Sequence, residues 1–128
     1  MESKIKAVHK FHKAFGLGIQ NSPTAELDWS RNLLRYKLMR EENEEYLDAA
    51  NNKDLVEVAD ALGDMLYILC GTIIEHGMQH KIEEVFNEIQ KSNMSKLGAD
   101  GKPIYRQDGK VLKGPDYFKP DISSILNK

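Results

Sequence analysis

The sequence predicts an all-α chain, a four-helix bundle followed by a C-terminal extension that carries a short β-hairpin. Three observations lead there. Apolar residues recur at spacings of three and four in four successive segments. Gly, Pro and Asn punctuate the gaps between them. After Lys91 that periodicity stops, and an Asp108-Gly109 pair stands between two short alternating runs. At 128 residues the chain is expected to be one domain, residues 1–128, with a helical core at about 3–91 and an arm at about 92–128.

Ile5, Val8, Phe11, His12 and Phe15 form the apolar stripe of a short first helix that Gly16 and Gly18 stop. Residues 19–27, with Asn21, Ser22 and Pro23, read as a loop, and Asp28 is placed to cap the second helix. From Asp28 to Ala50 there is no Pro or Gly, and Leu34, Leu38, Glu42, Glu45 and Ala49 succeed one another at helical spacing. Acid therefore interrupts an apolar stripe, and Glu41, Glu42 and Glu45 are expected to point toward the core side.

Asn51 and Asn52 break the pattern, and Asp54 opens a third helix that runs to about Glu75. One side carries Leu55, Leu62, Met65, Leu66, Leu69 and Ile73; the other carries Glu57, Asp60, Asp64, Tyr67 and Gly71. A helix so apolar is expected at the centre of its domain, with Asp60 and Asp64 at least partly buried. Ile82, Val85, Phe86 and Ile89 define a fourth helix. Beyond it, Pro103–Gln107 and Lys110–Lys113 flank the Asp108-Gly109 turn as the two arms of the expected hairpin.

Bulk properties exclude several functions. A net charge of -2 argues against a dedicated nucleic-acid binder, which must neutralise many phosphates. The longest apolar stretch, Met65 to Ile74, is too short to span a bilayer, so no membrane role is expected. Met1-Glu2-Ser3-Lys4 leads into no signal-type apolar segment, and a cytoplasmic location is expected. The lone Cys70, among Ile68 and Leu69, reads as a small core residue. Charge is nonetheless uneven, with acids in the middle and Lys or Arg dotted through the last third.

The acids carry the chemistry. A run such as Glu41-Glu42-Asn43-Glu44-Glu45 could simply decorate a wet helix face, since glutamate is a good helix former. Asp60 and Asp64 say more, because Asp favours helices less and their neighbours Ala59, Ala61, Leu62, Met65 and Leu66 are apolar. Two carboxylate clusters on consecutive helices raise each other's pKa unless a cation joins them. An all-oxygen ligand set suits Mg²⁺, with Mn²⁺ as the alternative, and no cysteine pair supports zinc. No Glu-x-x-His pair of the di-iron type exists among these acids. The pairs His9/His12 and His76/His80 read as structural or surface residues, and Trp29 with Arg31 as packing or a frame for a nucleobase.

The runs from Leu38 to Ala49 and from Asp60 to Tyr67 resemble the MazG-like all-α nucleotide pyrophosphohydrolases, whose relatives include phosphoribosyl-ATP pyrophosphohydrolases and dimeric dUTPases. Glu41, Glu42 and Glu45 match the first half of that family's pattern, Glu-Glu-x-x-Glu. Leu62-Gly63-Asp64 matches the end of the second half, Glu-x-x-Asp, but Ala61 stands where Glu is expected. Either Asp60 supplies the missing carboxylate or the pair is Glu57-x-x-Asp60; the apolar, Tyr-containing context after Asp64 favours Asp60 with Asp64.

The resemblance implies hydrolysis of a nucleoside triphosphate to monophosphate and pyrophosphate. It implies metal ligation by Glu42, Glu45, Asp60 and Asp64, and a catalytic set of Glu41, Glu42 and Glu45. Lys91, Asn93, Lys96 and Arg106 become the substrate-binding candidates, and a homodimer or higher homo-oligomer the expected assembly. The competing expectation is a non-enzymatic helical module that presents the acids as a docking face.

Overall fold

The computed structural model describes residues 1–128 and contains five helices: α1 (Glu2–Phe15), α2 (Trp29–Asn51), α3 (Leu55–Glu75), α4 (Ile82–Met94) and α5 (Ile122–Leu126). Two compact units divide the chain, Met1–His80 and Lys81–Lys128. None of the helices is long and apolar enough to cross a membrane.

In the first unit α3 packs against both α1 and α2. Ile5 and Val8 of α1, Ala49 of α2, and Ala61, Cys70, Ile73 and Ile74 of α3 make up its buried apolar core. Helix α1 ends at Gly16, and the N–H of Leu17 returns to His12 O at 2.8 Å. Asp28 holds the N-cap position of α2 but its side chain caps nothing; only its carbonyl accepts, from the N–H groups of Arg31 and Asn32. Asp54 does cap α3, accepting from Glu57 N–H at 3.1 Å. At the far end of α3, Gly77 takes φ +69° and the N–H of Met78 reaches Ile73 O, a left-handed stop. A side chain at Gly77 would also collide with Ser22 O, where the α1–α2 loop crosses.

The most buried charged group of this unit is one that apolar spacing does not reveal. Glu75, 2% exposed, receives Arg31 Nε at 2.9 Å and stands 3.1 Å from Arg35 Nη1, itself on a residue 6% exposed. Arg31 Nη2 comes to 2.7 Å of the same Glu75 oxygen but out of line for a hydrogen bond, so that contact is ionic. Arg35 also donates to Thr72 Oγ1 at 3.1 Å and to Ile68 O at 2.9 Å. Because partners descend α3 as donors ascend α2, the two helices run antiparallel. Gly71 makes room for this: a Cβ there would stand 2.5 Å from Arg35 Nη2 and 2.8 Å from His12 Nε2. His12 is buried, with Nδ1 donating to Gly18 O at 2.9 Å.

These contacts correct two expectations. Helix α2 turns Arg35, rather than Leu34, into the interior, and Leu34 is exposed. Helix α3 presents its small and acidic side, from Ala61 through Gly71 to Glu75, to its neighbours. Its leucine side faces outward, with Leu55, Leu62 and Leu69 at 80%, 51% and 45% exposure. Two guanidinium groups can enter a helix interface only where small residues leave space, which decides the face.

The second unit joins α4, the arm and α5. Ser92, buried on α4, donates to Phe118 O at 2.8 Å, while Phe118 N–H donates to Ser95 Oγ at 3.1 Å. Asp121 caps α5 by accepting from Ser124 N–H and Oγ–H, and Lys128 pairs with Glu84 at 2.6 Å. The expected β-hairpin does not develop into strands. The chain reverses at Asp108-Gly109, but only one antiparallel bridge forms, Tyr105 to Val111. Ile104, Tyr105, Val111 and Leu112 remain exposed, so no buried face rewards a longer ladder.

Candidate active site

The antiparallel register that sets Arg31 against Glu75 sets Glu42 against Asp64, because each step up α2 matches a step down α3. Glu42 is half-buried, as is Asp64; Glu41, Glu45, Glu57 and Asp60 are exposed. The expectations of a partly buried Asp60 and of core-facing Glu41 and Glu45 are therefore corrected: Asp60 lies one position off the contact line that Ala61 and Asp64 occupy, and Glu41 and Glu45 lie to the side of the line that Arg35, Glu42 and Ala49 occupy.

Glu42 is the electrostatic centre. Its Oε2 is sealed from water and has no hydrogen-bond partner. Desolvation, then the neighbouring Glu45, then the charges of Asp64 and Asp60, push its carboxyl from 4.5 up to about 7. Four carboxylates thus act on one another across the α2–α3 interface. Glu57 is absent from that set and instead lines an open cavity of about 310 Å³ with Glu45, Asp48, Ala49, Asn52 and Asp54.

Oxygen-only chemistry and an orphaned carboxylate oxygen fit a hard divalent cation. As the side chains stand, however, no group of three or more His, Cys, Asp or Glu converges tightly enough to chelate a metal. The acids share a face without forming a finished cage. Glu45 and Asp60 are exposed, and such side chains change rotamer in picoseconds to nanoseconds.

In the second unit Lys91 and Asn93 are exposed and Lys96 is half-buried. Arg106 is held in a two-point contact by Asp108, which fixes the turn. Each of these candidates carries a donor, but nothing in the unit gathers them around one point.

With this geometry established, comparison with known proteins is decisive. The phosphoribosyl-ATP pyrophosphohydrolase family model matches residues 8–93. The chain belongs to this family. The matched span contains all the candidate acids together with Lys91 and Asn93, and stops short of Lys96 and Arg106. The chain is also similar to a solved structure described as a "putative NTP pyrophosphohydrolase" from Exiguobacterium sp. 255-15. Identity is 27% and the TM-score 0.50, over 97% of this chain and 94% of that one. No match was found among curated proteins. Family membership and this likeness agree with the MazG-like all-α superfamily and with a pyrophosphohydrolase.

The Arg31–Arg35–Glu75 cluster is absent from the candidates that the sequence yields, yet a signal existed: two arginines one turn apart and a glutamate closing the stretch of α3 after Asp64 that holds no other charge.

A raised carboxyl pKa has a definite consequence for stability. Glu42 contributes fully below about 4.5, and that contribution is lost as pH rises through about 7. In buffer free of divalent cations, thermal unfolding should show wild-type stability falling across this window, with Glu42→Gln flattening the decline. Identical pH profiles for the two proteins would contradict the assignment.

Proposed function

We propose that the chain is a Mg²⁺-dependent nucleotide pyrophosphohydrolase, cleaving a nucleoside triphosphate or related nucleotide to monophosphate and pyrophosphate. The observation that carries this reading is the buried, unpartnered Glu42 oxygen among the charges of Glu45, Asp60 and Asp64. Like charges gathered at a helix interface cost stability unless a cation is their purpose. Family membership supplies the reaction type.

Glu42, Glu45, Asp60 and Asp64 would hold Mg²⁺, or Mn²⁺ in its place. The ion would supply charge neutralisation and an acidified water. Glu41, exposed beside Glu42, is proposed to accept a proton from the attacking water. Attack at the α-phosphorus forms one P–O bond and breaks the bond to pyrophosphate, which leaves. Lys91, Asn93 and Lys96 are proposed to meet the outer phosphates. Arg106 could join them only by giving up Asp108.

The outward leucines of α3 support a homodimer as the working form. So large an apolar stripe on a small chain is more stable covered than wet. We further propose that the two compact units act as one functional domain, residues 1–128.

A second reading has one observation in its favour. Glu41, Glu45 and Asp60 are exposed and no three acids converge, as on an acidic docking face without enzymatic activity.

A panel of canonical and modified nucleoside triphosphates plus phosphoribosyl-ATP, assayed with and without Mg²⁺, separates the two. Pyrophosphate release that requires Mg²⁺ is expected, and Glu45→Gln and Asp64→Asn should each lose at least about a hundredfold in kcat while staying folded. Wild-type turnover in both variants would defeat the site, and release of inorganic phosphate alone would change the reaction class. Sedimentation at micromolar concentration should show a species twice the 14.6 kDa chain mass; a monomer alone would refute the dimer.

A further inference from the structure

A nucleotide cleaved at its α-phosphorus must place its base within one nucleoside of the acids, on their own side of the α2–α3 seam. The choice of a surface for that base rests on the pyrophosphohydrolase reading. Helix geometry narrows it to one place.

Successive residues of an α-helix turn by about 100°. Round α3, Asp60 therefore stands about 40° to one side of Asp64, and Tyr67 stands about 60° to that same side, one turn farther along. Side chains three residues apart on a helix are neighbours, with Cβ atoms about 5–6 Å apart, so Tyr67 adjoins Asp64 at less than a nucleoside's length. On α2, Glu45 and Leu38 stand about 60° and about 40° to one common side of Glu42. Because the helices are antiparallel with Glu42 set against Asp64, that side is also the side of Asp60, and Leu38 comes level with Tyr67. The acids and these two residues share one groove. In the other direction, past Glu45, the surface is lined by Asp48, Asp54 and Glu57 and holds no ring.

Helix α1 borders the groove at Tyr67. It docks with His12 against Gly71, and this brings Phe11 edge-on to Tyr67, with ring centroids 5.6 Å apart and planes at 86°. Phe15 lies against Phe11 at 4.4 Å. An edge-on contact covers at most one face of the Tyr67 ring, which is 43% exposed, so a face remains open to a flat ligand. The leucines assigned to the homodimer do not account for this exposure, because Leu62 and Leu69 lie at least about 140° round α3 from Tyr67.

We propose that Tyr67, walled by Phe11 and Leu38, is the nucleobase subsite, with the base stacked on the tyrosine ring while the phosphates meet the acids one turn away. Leu38 is half-buried and Phe11 exposed, which gives the base two apolar edges. Apart from the Tyr67 hydroxyl the lining is apolar, so stacking holds the base more than hydrogen bonds to its edge do. Tyr67 binds the base and touches none of the reacting atoms.

The test compares nucleoside triphosphates with methyl triphosphate, a triphosphate ester without a base, read as substrate or as competitive inhibitor. Tyr67→Ala should raise KM for the preferred nucleotide about tenfold relative to the constant for methyl triphosphate, with little change in kcat. Tyr67→Phe keeps the ring and should restore most of that loss. Tyr36→Ala, on the far side of the seam, should leave the ratio at its wild-type value. Tyr67 and Tyr36 are both exposed, so the variants are expected to fold and to sediment as wild type does. A wild-type ratio in Tyr67→Ala would overturn the subsite while leaving the enzyme intact. Equal rises for the nucleotide and for methyl triphosphate, or a change in sedimentation, would overturn it too, by making Tyr67 a packing or subunit contact. A wild-type protein that neither cleaves any nucleotide nor binds methyl triphosphate would instead overturn the pyrophosphohydrolase reading, and the subsite with it.

Discussion

The register of α2 on α3 depends on one buried ionic contact, the grip of Arg35 and Arg31 on Glu75. Burial pulls the Arg35 guanidinium below its ordinary pKa, with Glu75 opposing that effect and Arg31 adding to it. Such a cluster contributes little net stability compared with an apolar substitute, but it cannot slide. Any shift of one helix on the other strands a charge in the interior, at a cost of several kcal/mol. Fixed at this end, the antiparallel pair has no freedom at the other, and Glu42 meets Asp64 because Arg35 meets Glu75.

The same clamp explains how the fold tolerates the opposite situation one helical span away. Around Glu42 the charges are alike, and its orphaned oxygen is held in place by a backbone that the clamp has already positioned. The two helices thus carry an end where opposite charges pair and an end where like charges gather. The second is where chemistry is expected, since a carboxyl pushed up by burial and like charges marks a functional site.

Much of this was legible in the sequence. The bounds of α1 to α4 follow from apolar spacing and from Gly16, Asn51, Asn52 and Gly77, because backbone punctuation is local. That Glu42 and Asp64 lie off the open surface was legible from the apolar residues spaced around them. What could not be read is which side of a doubly apolar helix turns inward. Leu55, Leu62 and Leu69 looked like core, but Gly71 admits Arg35 and Ala61 is buried on the same side, and that choice depends on a partner helix more than thirty residues away. The α5 helix, five residues long, is below the length at which periodicity can be seen, though Asp121 and Ser124 form its capping pair. The hairpin stays at one bridge, Tyr105 to Val111, because alternation alone does not bury a face.

A divalent-cation site shared by the carboxylates of α2 and α3 is the proposal on which the function rests. Electron paramagnetic resonance of Mn²⁺ at neutral pH tests it most directly, since the sharp signal of free ion is lost on binding. Wild-type protein should quench that signal in proportion to its concentration, and Glu42→Gln or Asp64→Asn should leave it largely free. Full signal in the presence of wild-type protein, or undiminished quenching by both variants, would contradict the shared site.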